Sequence, residues 1–167
     1  ILQNKYTYCQ WCYGSAGKIQ TNGFETFWPR IVHPERPDRW AYDAVTYYWL
    51  EQALQKKFYV IKWSLGGTAI DTRNSSTSHK YWSAEPTWIA ANHSTLTGGK
   101  SLLRSFTEEI TLCIDNTLSK LPQGYEIKAF LWHQGESDRH QGAAYYENLK
   151  KVVAYVRNFL VRKTGEK

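Results

Sequence analysis

A chain of 167 residues, 42% hydrophobic and 22% charged, has room for one domain with a buried core and too few charges for wholesale disorder. Its net charge of +6 raises nucleic acid as a partner, but the lysines and arginines are scattered, and no RNA- or DNA-binding motif interleaves them. No stretch approaches the ~20 apolar residues of a membrane span, so neither nucleic acid nor a membrane is the expected partner.

Residues 1 to about 37 lack a sustained period and are broken by Gly14, Gly17, Asn22-Gly23, Pro29, Pro34 and Pro37. They read as loop with short strands at most. Cys9-Gln-Trp-Cys12 has redox or half-zinc spacing without a second half, which leaves a structural pair or plain thiols. Asp38 is placed to cap a helix reaching about Lys56, with Ala41, Ala44, Val45 and Tyr48 on its inner face. Phe58 to Trp63 is short, β-branched and aromatic, the pattern of a buried strand. It ends in Ser64-Leu-Gly-Gly-Thr68, and a polar excursion from Asp71 to about Gly99 follows, long enough to predict small elements of its own.

A second helix is predicted over residues 101–121, with Leu103, Phe106, Ile110, Cys113 and Thr117 inward and Pro122 and Gly124 as its stop. Glu126 to Trp132 reads as a second strand. The last helix, about 143–162, carries Tyr145, Leu149, Val152, Val156 and Phe159 along one stripe. Strands separated by helices predict a parallel sheet with helices on its faces. Two strands are too few for one, so the rest lies either in the poorly readable N-terminus or outside these residues, which predicts an incomplete copy of the fold in a single domain over 1–167. The absence of any methionine predicts a processed or internal piece.

In such sheets the reactive crevice lies beyond the carboxyl ends of the strands. There, Gly66-Gly67 is either a tight turn or a backbone donor free of side-chain obstruction. The run Trp132-His-Gln-Gly-Glu-Ser-Asp138 sets an imidazole, an amide, a carboxylate and a hydroxyl directly after the second strand. Its groups either cap the next helix or serve chemistry. A glutamine amide and the Gly67 N–H aimed at one oxygen would stabilise an acyl-transfer intermediate.

This heptapeptide, with Ile61-Lys-Trp-Ser-Leu-Gly-Gly-Thr68 some seventy residues upstream, resembles the SGNH-type carbohydrate esterases, closest to the acetylxylan esterase and sialate O-acetylesterase-like group. The resemblance implies a three-layer α/β/α flavodoxin-like fold with a mostly parallel sheet. It also implies removal of acetyl groups from sugars by a serine nucleophile, without metal or cofactor, in a secreted or periplasmic setting. It casts Gly67 as the backbone oxyanion donor and Gln134 as the side-chain donor. Glu136 becomes either the acid that orients the catalytic histidine or a support for it. Gly66, Trp132 and His133 shape the loops around the acetylated carbohydrate.

Two of the family's motifs do not occur in these residues: the Gly-Gln-Ser-Asn of the nucleophile and the Asp-x-x-His of the histidine. Ser15 is not taken as a substitute, because no apolar strand is read before it and a nucleophile turn needs one. The catalytic set is therefore expected to be incomplete in this chain. A non-catalytic carbohydrate-binding module is the alternative, with Trp82 and Trp88 either as a stacking platform or as anchors of the long loop. A metal site from His133, Glu136, Asp138 and His140 fits no helical zinc spacing.

Overall fold

The computed structural model describes residues 5–29 and 41–165. Asp38, the expected helix cap, lies outside them.

The N-terminal segment contains more order than its sequence suggests. β1 (Cys9–Ser15) is the centre of the sheet and is buried along most of its length. β2 (Lys18–Ile19) and β3 (Glu25–Thr26) pair with it antiparallel, and β4 (Phe58–Ser64) pairs with it parallel over all seven residues. The sheet is therefore mixed, with one parallel and two antiparallel pairings. This corrects the expected mostly parallel sheet for the described residues.

Successive side chains of a strand point to opposite faces, and both faces here are covered. Cys9, Trp11 and Tyr13 pack with Phe58 and Val60 against Ala44 and Tyr47 of α1 (Tyr42–Leu54). On the other face, Tyr59 and Ile61 meet Ile110 and Ile114 of α3 (Leu102–Asn116) and Phe159 of α4 (Gly142–Thr164). Burial on two faces explains why Phe58–Ile61 runs apolar without alternation, before Lys62 turns to Asp43. Gly14 is required by this packing, since a Cβ there would lie 2.0 Å from the Trp63 ring.

α1 turns inward only part of the expected face: Ala44 is in the core and Tyr48 packs against it, but Val45 does not. Asp43, Ala44, Tyr47 and Glu51 are buried, while Val45 is exposed. The acidic pair goes inside because each side chain has partners. Glu51 accepts from the backbone N–H groups of Thr7, Tyr8 and Cys9 at 2.6–2.9 Å, and Asp43 pairs with Lys62. Hydrophobic periodicity cannot register a carboxylate that caps the start of a strand.

The excursion after β4 carries small elements: a 3₁₀ turn at Thr77–His79, the short helix α2 (Pro86–Ala91) and another turn at Thr95–Thr97. The 101–121 helix ends earlier than expected, at Asn116, and Leu118–Lys120 continues as a 3₁₀ turn. α4 places Val152 and Val156 at the centre of a second core, with Trp63, Ile70, Trp82, Leu102 and Leu103.

The second expected strand, 126–132, is a correction. These residues join no sheet among the described residues, and their burial alternates only from Ala129 onward, Lys128 and Ala129 both being exposed. Phe130 and Trp132 point inward onto Phe106 and Trp82. No neighbouring strand among the described residues satisfies the segment's backbone.

Candidate active site

The parallel pairing of β1 and β4 brings their carboxyl ends to one edge, with Ser15 opposite Ser64 in register. β4 runs from there into Gly66 and Gly67. Gly67 has φ of +69°, and an added Cβ would meet the Thr77 hydroxyl at 2.5 Å. Its carbonyl accepts from the N–H and hydroxyl of Thr77, at 2.8 and 3.1 Å, which closes the loop. Its own N–H donates to nothing among the described residues, and both glycines are exposed.

The second loop lies directly against the first. Gln134 Nε2 donates to the carbonyl of Thr68 at 2.9 Å and to Asp138 Oδ2 at 2.6 Å. Both acceptors are oxygens, so the amide orientation is settled by its partners. Gln134 Oε1 is buried with no partner among the described residues. The backbone carbonyl of Gln134 accepts from the Tyr145 hydroxyl at 2.5 Å, which in turn accepts from Trp132 Nε1 at 3.2 Å. Helix α4 thus holds the residue from behind.

Asp138 is the centre of the junction and is 2% exposed. Oδ2 also accepts from the N–H of Ile70 at 2.9 Å, and Oδ1 from the N–H of Asp71 and from Asn74 Nδ2, at 3.1 and 2.7 Å. Asp71 in turn pairs with Arg73 and accepts from Asn148 of α4. The Arg73 hydrogen bonds hold the Asp71 carboxyl down at about 2. A cavity of about 410 Å³ lies beside the end of β4, its wall including Tyr13, Asp43, Lys62, Ser64 and Gly66.

The other sequence-derived candidates are placed as follows. Trp132 packs edge-to-face on Trp82 at 5.3 Å, and the exposed His133 meets the ring of Tyr42 at 4.8 Å. Glu136 lies exposed in the turn Glu136–Asp138, and its carboxylate has no partner among the described residues. Trp82 is not a platform for a sugar. It is 6% exposed, and its Nε1 donates to the Thr68 hydroxyl at 3.1 Å. Trp88 is half-buried against Tyr81, edge to face at 5.2 Å. Trp82 thus anchors the excursion, and Trp88 rests partly buried on it.

His133, Glu136, Asp138 and His140 do not assemble as a metal site among the described residues. Asp138 spends its oxygens on N–H donors instead. Ser15 closes β1 and lies at the same edge as Ser64. A buried strand does precede it, contrary to the sequence reading, but Ala16 and Gly17 then turn back into β2 as a hairpin. A nucleophile turn leads from strand to helix, so Ser15 still lacks that setting.

Sequence reasoning missed Asp138 as the junction, along with Asn74 and Tyr145. A signal was present: an aspartate four residues beyond the amide, a few residues before the start of a helix.

Two polar loops are locked together here, one presenting the exposed Gly67 N–H and the other the Gln134 amide. Residues 48–164 match the family described as "Carbohydrate esterase, sialic acid-specific acetylesterase", and the chain belongs to that family. No curated protein and no solved structure matches it. The match begins inside α1, so β1, β2 and β3 lie before it.

Proposed function

We propose that this chain carries the oxyanion-binding half of a serine-type carbohydrate O-acetylesterase acting on acetylated xylan or O-acetyl sialic acid. The observation that carries the reading is the 2.9 Å contact between Gln134 Nε2 and Thr68 O, which sets the amide beside the loop of Gly67. A serine hydroxyl, its proton taken by a histidine, attacks the acetyl carbonyl. The negative charge gathering on the carbonyl oxygen is met by the Gly67 N–H and one N–H of Gln134. The sugar hydroxyl leaves with the proton, and water attacks the acyl-serine to release acetate.

Both hydrogens of Gln134 Nε2 have acceptors in the structure, Thr68 O and Asp138 Oδ2. The neutral carbonyl is the weaker acceptor, so the incoming oxygen displaces Thr68 and leaves the carboxylate bond in place. The proposed fold of the complete enzyme is a three-layer α/β/α sheet protein in which residues 126–132 gain a strand partner. Glu136, exposed beside Gln134, supports the histidine or orients it. A polymeric substrate favours a secreted or periplasmic enzyme.

The test is acetate release by the complete enzyme from acetylated xylo-oligosaccharides and O-acetyl sialic acid. Release from at least one is expected. A folded enzyme that frees no acetate from either would sink the proposal.

A further inference from the structure

We infer that Asp138 is the positioning residue of this site: its carboxylate clamps the Gln134 amide to the loop that follows Gly67. The inference rests on the oxyanion reading above and adds to it the group that sets the amide's direction. Four donors converge on the two oxygens of one side chain, from Ile70 N, Asp71 N, Asn74 Nδ2 and Gln134 Nε2, at 2.6–3.1 Å. Three of them belong to the first loop and one to the second. The side chain is 2% exposed, so these bonds are made away from water and no solvent competes for the oxygens.

The chemistry requires an acceptor-only group. Every atom facing Asp138 is an N–H donor, and a carboxylate accepts on both oxygens whereas an amide accepts on one and donates on the other. A glutamine side chain has several rotamers, and Thr68 O alone would leave Gln134 free to swing once the acyl oxygen displaces that carbonyl. The bond to Asp138 remains through that exchange. The same carboxylate sets the spacing between the Gly67 loop and Gln134. Asp138 touches neither substrate nor reacting atoms, and its effect passes through Gln134.

The experiment has two arms. In the ¹⁵N-labelled chain, the side-chain amide protons of Gln134 should exchange with solvent at least tenfold more slowly than those of the exposed Gln52. Asp138→Asn should abolish that difference. Equal exchange in the wild-type chain, or unchanged protection in a folded Asp138→Asn chain, would overturn the inference without any activity being measured. In the complete enzyme, Asp138→Asn should lower kcat on an acetyl ester tenfold or more, with KM changed less than threefold. Placed on Gln134→Ala, it should cost less than a further twofold. An equal loss in both backgrounds would make Asp138 an independent structural residue and also overturn the inference. If Gln134→Ala alone leaves kcat intact, the oxyanion reading fails, and the exchange arm still decides whether Asp138 holds the amide.

Discussion

Glu109 has no room for a charge. It is fully buried on α3, and burial, with the charge of the neighbouring Cys12 and a hydrogen bond to it, pushes its carboxyl well above the usual range. The folded chain therefore keeps this proton while the unfolded chain loses it above about pH 4. Stability should fall as pH rises from there, on the order of 1 kcal/mol per pH unit for this group. Glu109→Gln should flatten that slope, read from urea unfolding at pH 5 and pH 8. A slope unchanged by the substitution would show that Glu109 ionises freely in the fold. Gly67 is the second residue with a sharp expectation. Its φ of +69° and the 2.5 Å approach of Thr77 to an added Cβ leave no place for alanine. Gly67→Ala should displace the loop and remove acetate release from the complete enzyme while leaving the far-UV spectrum intact. A fully active Gly67→Ala enzyme would take this position out of the site.

At the scale of elements, β4, α3 and α4 were legible in the sequence because their patterns are made of apolar residues at the right period. β1 was not. Cys-Gln-Trp-Cys-Tyr-Gly-Ser has no β-branched residue and ends among turn formers. Its conformation is imposed by α1, α3 and the β4 ladder, a tertiary effect that local propensity does not contain. Glu51 is part of that imposition. Removing it leaves three backbone donors at the start of β1 without acceptors. Glu51→Ala should cost about 3 kcal/mol and raise amide exchange at Tyr8 and Cys9 more than in α4. Uniform loss of protection would mean that Glu51 does not act on β1 locally. The loop after β4 has its own weak point in acid. Asp71, held at about 2 by Arg73, contributes stability above about pH 4 that is lost as pH falls towards 2. Arg73→Ala should shift loss of loop order to higher pH, followed through the amide signals of Ile70 and Asn74.

For the whole molecule, the two loops of the site were legible as motifs, Gly66-Gly67-Thr68 and the run from Trp132 to Asp138. Their contact was not, because it depends on where 126–132 packs. Phe130 and Trp132 of that segment sit over Phe106 and Trp82, yet the described residues offer it no ladder. The aromatic surplus was equally ambiguous in the sequence. The fold resolves it for Trp11, Trp63 and Trp82, which are core residues, while Trp49 is 65% exposed on α1. The family match places the chain among carbohydrate esterases, and both loops lie within the matched residues.

The most direct measurement is kcat of the complete enzyme on an acetyl ester before and after Gln134→Ala. Loss of one side-chain donor to the oxyanion should lower it about a hundredfold or more. An undiminished kcat in a correctly folded variant would contradict the assignment of the amide that joins the two loops.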